Sequence, residues 1–359
     1  MTQDEGRYQG SAWTPAKAIG DVLIPIVSRV LALAVAGTLL AGCVSSMLDI
    51  DQKASQPIPA KLVASMKQRS MAPSDPIVVR IFKQESELEI WKRDRSGRYA
   101  LLKTYPLCRW SGKLGPKTRS GDRQAPEGFY HVNASMLNPA SKYYLSFDIG
   151  YPNRLESALG HTGESLMVHG ACSSSGCYAM TDEGMAEIYA VVREALKGGQ
   201  KSFQVQAYPF RMTPANMAKN REDPNYAFWQ GLKRGYDLFD VTRQPPQVGY
   251  CGRGYAFAAA GTEGIPTDPL AACPPTARAI DPAIASKQEA DERAVENLIA
   301  SGTVLRAHAY SDGGMHPSFR RLLERSGAKG LAKKTSLTSV PISRPDAALA
   351  DPHDPRTDK

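Results

Sequence analysis

The chain has 359 residues, of which 42% are hydrophobic and 22% charged, and its formal net charge is +8. This length and composition fit one large folded domain or two average ones. The positive charge favours anionic partners such as cell-wall polymers or lipid headgroups. No stripe of Lys and Arg interleaved with aromatic residues is present, so nucleic-acid binding is not expected.

An apolar run near the start of the chain predicts export. Residues 30–43, VLALAVAGTLLAGC, carry no charge and end in small residues before Cys43. The run is shorter than the roughly 20 residues that a membrane span needs. The alternative is an uncleaved anchor helix that extends upstream of residue 30, and Arg29 would interrupt that longer helix. Its last four residues resemble the bacterial lipobox, so we expect 1–43 to be a signal peptide and Cys43 to be lipidated. This implies a periplasmic protein on the outer membrane of a Gram-negative bacterium.

Four regions follow the predicted signal peptide. Residues 44–75 are polar with scattered Pro and Ser, which predicts a tether. Residues 76–212 contain short β-branched runs, and 213–331 read as a helical and loop-rich extension. Residues 332–359 are rich in Ser, Pro, Asp and Lys without periodicity, which predicts a disordered tail.

The pattern from residue 76 onward predicts a mainly β fold with a few packed helices. Short strands separated by Pro and Gly are typical of a sandwich or barrel. A helix is predicted after Thr181, which is a good N-cap residue, and it should end at Gly198. The predicted strands are 77–82, 88–91, 99–105, 128–132, 143–149, 165–168 and 202–208.

The cysteines that follow Cys43 are odd in number, so at least one should stay a free thiol or pair between chains. Cys251 and Cys273 flank a Gly-rich loop, and a disulfide there would stabilise the fold by about 3 kcal/mol in the chain-entropy model. Cys108 and Cys172 either pair with each other or leave Cys172 reduced beside the active thiol.

The stretch HGACSSSGCYAM, residues 169–180, allows three interpretations. A zinc site needs four ligands, so the fold would have to bring His161 and His169 to Cys172 and Cys177; a disulfide-bonded surface loop leaves His169 unexplained. The third is a Cys177 nucleophile with His169 as general base, its thiol pKa lowered by the histidine and the following helix. Gly176 would then lie in the oxyanion-hole region. The residues therefore indicate acyl transfer without a metal or cofactor.

The order of these motifs resembles the YkuD-type L,D-transpeptidase family. A strand ending in His-Gly followed by Ser-x-Gly-Cys is similar to its active-site signature, and residues 121–130 are similar to its Thr-Pro-x-Gly-x-Tyr segment, with Ala125 in place of Thr. Residues 111–130 and 137–153 resemble the YafK-like branch. The family implies an L,D-transpeptidase-like β-sandwich. Ser175 and Ala179 stand where the family has His and Arg, so we expect the substrate to be bound differently.

The resemblance implies action on peptidoglycan stem peptides through a thioester at diaminopimelate. In the YafK-like branch it implies hydrolysis of the link between peptidoglycan and a lipoprotein, with cross-link formation as the alternative. Side chains that could contact substrate are Arg123, Glu127, Lys117 and Ser174. Two other hypotheses are an inert wall-binding lipoprotein and a tether whose C-terminal region binds a protein. The cluster Tyr310–Pro317 has no explanation from the sequence beyond packing against the catalytic domain.

Overall fold

The computed structural model describes residues 52–275, 282–302 and 309–350, together with Asp49 and Ala307. The predicted signal peptide and Cys43 lie outside these residues. From Lys53 onward the chain forms one compact unit. Among the described residues, no helix combines the length and apolar character needed to cross a membrane.

The first sheet has five strands in the order β3-β2-β1-β10-β5. These strands are β1 Ile77–Phe82, β2 Glu87–Arg93, β3 Tyr99–Pro106, β5 Gly128–Asn133 and β10 Ser202–Tyr208. All neighbours are antiparallel except β1 and β10, which pair in parallel with Val79 opposite Val205. The parallel pair joins segments more than a hundred residues apart, so it closes the domain.

The second sheet has shorter strands in the order β4-β9-β8-β7-β6. They are β4 Arg109–Trp110, β6 Leu137–Asn138, β7 Ser146–Asp148, β8 Met167–His169 and β9 Tyr178–Ala179. A 3-10 turn at Ala134–Met136 precedes β6. The pair β8 and β9 is parallel, which aligns the segment that ends in His169 with the segment that follows Cys177.

Side chains from both sheets share one hydrophobic core. Val79 and Phe203 enter it from the first sheet and Phe147 and Tyr178 from the second, and the rings of Phe147 and Phe203 lie 5.5 Å apart, edge to face. This confirms the prediction of a mainly β fold with packed helices.

Helix α3, Asp182–Lys197, packs its apolar face into the same core. Thr181 caps it as the sequence predicts, because its side chain accepts from the Gly184 N–H at 3.0 Å. A shorter helix, α2 Arg154–Ala158, begins at the capping residue Asn153. The cap of α3 fixes where the chain leaves β9 and enters the helix.

The region predicted as a tether is partly packed. Helix α1, Ala60–Gln68, buries Leu62 and Met66 in the main core. Arg193 of α3 donates to the Gln56 carbonyl at 2.9 Å. The packed chain therefore begins earlier than residue 76, because two apolar positions at helical spacing are enough to dock a short helix.

Residues 213–275 form a second cluster around the first sheet's outer face. It contains α4 Pro214–Lys219, α5 Tyr226–Thr242 and a hairpin of β11 Gln247–Cys251 with β12 Gly254–Ala258. Aromatic side chains of α5 pack into this cluster, and Trp229 is fully buried. The predicted Cys251–Cys273 disulfide is present and ties the loop after β12 to the hairpin.

The C-terminal part contains α6 Pro282–Ala300, α7 Pro317–Thr335 and α8 Pro345–Leu349. Ile342 and Ala348 are buried in a third cluster with Met315 and the Cys108 and Cys172 sulfurs. Residues 332–350 are thus packed, which differs from the disorder that we predicted for 332–359; residues 351–359 lie outside the described residues. A few apolar contacts, which periodicity does not reveal, order this segment.

Candidate active site

Three neighbouring strands bring the key residues of the HGACSSSGCYAM stretch onto one face of the second sheet. His169 lies opposite Ser146 of β7 and Ala179 of β9. Since Tyr178 pairs with Val168, Cys177 comes next to Met167 in the parallel register. Side chains alternate across a strand, so Met167, His169 and Cys177 share a face, opposite to the core face of Val168 and Tyr178.

Cys177 is the free cysteine among the described residues and is half-buried. Its Sγ accepts from the Met167 N–H at 3.4 Å. Burial raises the pKa of the Cys177 thiol; the Met167 hydrogen bond opposes this rise, the Asp148 charge adds to it and the Lys117 charge opposes it. The resting group is therefore a thiol, contrary to our expectation of a lowered pKa beside histidine and the helix, because loss of water outweighs those stabilising influences.

His169 is 2% exposed, and burial lowers its pKa to about 4, opposed by a backbone hydrogen bond. Its Nδ1 contacts the Gly170 carbonyl oxygen. A carbonyl oxygen only accepts, so Nδ1 carries the proton and Nε2 has a free lone pair. The Tyr143 ring lies over the imidazole with centroids 4.6 Å apart. The arrangement supplies a neutral base whose orientation is fixed from two sides.

The loop between the two residues is held by a disulfide and a glycine. Cys108 and Cys172 form a disulfide, so of the two alternatives that the sequence left open, Cys172 is paired and not reduced. A paired Cys172 is also not available as a zinc ligand. Gly176 has φ +129, and a Cβ there would lie 3.2 Å from a Leu166 methyl carbon. Its N–H donates to Ser174 Oγ at 3.3 Å. Gly176 is therefore required by backbone conformation, directly before the thiol.

Ser174, predicted to contact substrate, is instead 2% exposed. Its hydroxyl donates to the Cys177 carbonyl at 2.7 Å and lies 2.9 Å from Ser111 Oγ. Its backbone N–H donates to Ser343 Oγ at 2.9 Å. The structure makes Ser174 an internal support of the loop.

Arg123 lies beside this loop and is partly exposed, with 25% of its side chain accessible. Nη1 donates to Ser175 Oγ at 2.7 Å and Nη2 to the Ser174 carbonyl at 3.1 Å. Nη2 also contacts Asp312 Oδ2 at 2.8 Å. Arg123 was predicted to contact substrate; it lies against the loop before Cys177, and most of its guanidinium donors are used within the protein.

The other two predicted contact residues are buried ion-pair members. Glu127 is fully buried and meets Lys83 Nζ at 2.8 Å and the Trp229 indole N–H at 2.8 Å. Lys117 is 3% exposed and pairs with Asp122. Neither side chain is free to meet a substrate charge, because each already has a partner and little contact with water.

Some residues near the site carried no sequence signal. Ser146, across from His169, is fully buried, and its Oγ has no hydrogen-bond partner within the described part of the chain. Tyr143 reads as an ordinary strand aromatic until its contact with the imidazole is seen. His161 lies in the loop before β8. No group of three or more His, Cys, Asp or Glu side chains within the described ranges is arranged to hold a metal.

The structure thus brings together a free thiol directly before β9 and a neutral imidazole at the end of the adjacent parallel strand β8, joined by a short loop that contains Gly176. The chain belongs to the YkuD family, the L,D-transpeptidase catalytic domain, which matches residues 76–201. YafK of Escherichia coli (strain K12), whose name assigns it provisionally to the L,D-transpeptidases, is 47% identical over 182 residues. Those residues are 51% of this chain and 73% of YafK, and YafK of E. coli O157:H7 matches equally. The resemblance read from the sequence is confirmed.

Two solved structures are also similar. The helical cell shape determining protein Pgp2 from Campylobacter jejuni is 16% identical with a TM-score of 0.31, covering 53% of this chain and 80% of Pgp2. Bd1075 from Bdellovibrio bacteriovorus is 14% identical with a TM-score of 0.28, covering 50% of this chain and 78% of Bd1075.

Proposed function

We propose that the protein is a cysteine acyl-transfer enzyme acting on peptidoglycan stem peptides. The observation that carries this proposal is the pairing of Cys177 and His169: a free thiol and a base with an available Nε2 lie on one face of two adjacent parallel strands. Membership of the L,D-transpeptidase family supports the choice of substrate.

The reaction follows from the two protonation states. His169 Nε2 removes the proton from Cys177 Sγ as the sulfur attacks the carbonyl carbon of diaminopimelate. The carbonyl C–N bond then breaks, the amine leaves with the proton held by His169, and a thioester remains. Water or a second amine attacks the thioester, gives its proton to His169 and releases Cys177 as a thiol. The Gly176 region is proposed to stabilise the oxyanion.

The acceptor decides between two related activities. With water, the enzyme releases a group amide-linked to diaminopimelate, such as a peptidoglycan-bound lipoprotein; with an amine, it forms a cross-link. We favour hydrolysis. Ser175 and Ala179 replace the His and Arg of the family signature. Fewer side chains are therefore available to hold a second peptide, whereas water needs no binding site of that kind.

Arg123 remains the candidate for contact with a substrate carboxylate, since part of its guanidinium is exposed beside the nucleophile loop. We withdraw Glu127, Lys117 and Ser174 from that role, because the structure buries all three. We further propose a periplasmic, lipid-anchored enzyme attached through Cys43, on the basis of the lipobox-like sequence.

The test uses purified sacculi that still carry lipoprotein remnants, incubated with the full chain in mild detergent. Mass spectrometry of the released muropeptides identifies each product. Loss of the remnant and appearance of free stem peptide are expected with the native protein and not with Cys177→Ala. New diaminopimelate cross-links would instead identify a transpeptidase. An unchanged muropeptide profile with both proteins would refute acyl transfer on this substrate and favour an inert wall-binding protein.

A further inference from the structure

The C-terminal region adds a bridge to the edge of the second sheet. Trp110 of β4 and Gly314 exchange backbone hydrogen bonds of 3.1 and 3.2 Å, and the His316 N–H donates to the Leu107 carbonyl at 3.0 Å. A Cβ on Gly313, which has φ +73, would lie 2.0 Å from the Trp110 carbonyl oxygen. Only glycine allows this close approach, which explains the Gly pair that the sequence left unexplained.

This bridge places Asp312 next to the nucleophile loop. Asp312 is 4% exposed and meets Arg123 Nη2 at 2.8 Å. Its Oδ1 accepts from the Gly112 N–H at 3.1 Å. Arg109 and Arg344 approach its Oδ2 at 3.5 Å each. One carboxylate thus stands among three guanidinium groups.

Arg123 links Asp312 to the loop before Cys177 through its two terminal guanidinium nitrogens. Nη1 of Arg123 donates to Ser175 Oγ, and Nη2, which also donates to Asp312, donates to the Ser174 carbonyl. Ser174 in turn donates to the Cys177 carbonyl at 2.7 Å. A guanidinium is planar, so fixing one edge with a carboxylate also fixes the direction of its other donors.

Removal of the carboxylate charge would change this arrangement without creating a large cavity. Three guanidinium groups would then repel one another in a partly buried setting, where charge interactions are stronger than in water. Arg344, with 60% of its side chain exposed, can turn toward solvent, and Arg109 is fully buried and cannot. Arg123, with 25% of its side chain exposed, can also move, and its movement would release the contacts with Ser174 and Ser175.

We propose that Asp312 is a positioning residue that, through Arg123, orders residues 174–176 and thereby places Cys177 for attack. This rests on the proposed function, since placement of Cys177 matters for turnover only if it is the nucleophile. It gives the C-terminal region a part in the active site, which differs from the partner-binding role considered from the sequence.

The test compares Asp312→Asn with Asp346→Asn, which makes the same change at an exposed position of the same region. Hydrogen–deuterium exchange of the peptide covering 173–178 is measured without substrate, and kcat and KM are measured on sacculi. Asp312→Asn is expected to speed exchange and to lower kcat by about 10–100-fold, the scale of a nucleophile displaced by about 1 Å. Asp346→Asn should match the native protein in both assays.

A second pair of variants isolates the route through Arg123. Ser175→Ala removes only the exposed hydroxyl that Arg123 binds, so it should fold normally and show part of the exchange increase. In Arg123→Gln/Asp312→Asn, the loss of kcat should not exceed that of Arg123→Gln alone, because both changes break the same chain of contacts.

Additive losses, a raised KM with unchanged kcat, or unchanged exchange in Asp312→Asn would overturn the proposal. The exchange assay needs no substrate. If the native protein shows no turnover, the proposed function fails, and exchange alone still decides whether Asp312 orders the loop.

Discussion

The resting state of Cys177 and His169 is open to a direct test by pH. Burial lowers the pKa of His169 to about 4, so about one imidazole in a thousand is protonated at pH 7. Burial raises the pKa of Cys177 above its ordinary 9.0, so less than about 1% is thiolate at pH 7. The pair should rest as neutral thiol and neutral imidazole, and the proton should move only during attack.

Two measurements follow from this state. The rate of alkylation of Cys177 by iodoacetamide should rise about tenfold per pH unit from pH 6 to 9, since only thiolate reacts. Turnover should stay nearly flat from pH 5 to 8 and fall as pH approaches 4, where His169 takes up a proton and can no longer act as base. The Cys177→Ala variant corrects for labelling elsewhere.

A preformed thiolate and imidazolium pair gives the opposite result. Alkylation would then be fast and independent of pH between 5 and 8, and that plateau would falsify the neutral-pair reasoning. Slow labelling at pH 7 is consequently no sign of an inert cysteine in this protein.

The burial of His169 also links stability to pH. The unfolded chain takes up a proton near pH 6.5 and the folded chain near pH 4, a difference worth about 3 kcal/mol. Because the folded pKa is the lower one, this stability is present above pH 6.5 and is lost as pH falls toward 4. Denaturant unfolding of the native protein and of His169→Gln at pH 7 and 4.5 should show a smaller loss in the variant.

Three further predictions concern groups around the site. Gly176→Ala should destabilise by about 1–3 kcal/mol in thermal unfolding and reduce turnover, whereas Gly199→Ala, also at positive φ but in open space, should leave turnover unchanged. Burial raises the pKa of Glu156 to about 7. The contribution of this carboxyl group to folding stability is therefore present below pH 4.5 and is lost as pH rises through 7. Denaturant unfolding should show Glu156→Gln gaining stability relative to the native protein between those two pH values. Replacing Cys108 and Cys172 by Ser should cost up to about 4 kcal/mol of stability, since their disulfide closes a loop of 64 residues; an unchanged melting temperature would contradict this.

The sequence was most informative where local chemistry decides the structure. The strand of residues 77–82 and the helix after Thr181 form as predicted, because β-branched runs and N-cap side chains act within a few residues. Cys251 and Cys273 lie in one hairpin and its following loop, and their pairing could likewise be predicted from spacing.

Long-range contacts account for what the sequence did not predict. Strands of two residues, such as β9, carry no periodicity and exist only through their neighbours. Glu127 and Lys117 look like surface charges, yet Lys83 and Asp122 meet them inside the fold. The raised pKa of Cys177 depends on burial, which residue spacing does not report.

Cys172, one half of the Cys108–Cys172 disulfide, lies in the same short loop as the Cys177 thiol, and this raises the question of thiol–disulfide exchange. Attack on a disulfide needs a thiolate, and burial keeps Cys177 in the thiol form at neutral pH. The same burial therefore keeps the Cys177 thiol from reacting with the neighbouring structural disulfide. A disulfide and a free thiol can coexist at this loop because burial keeps the thiolate fraction of Cys177 low.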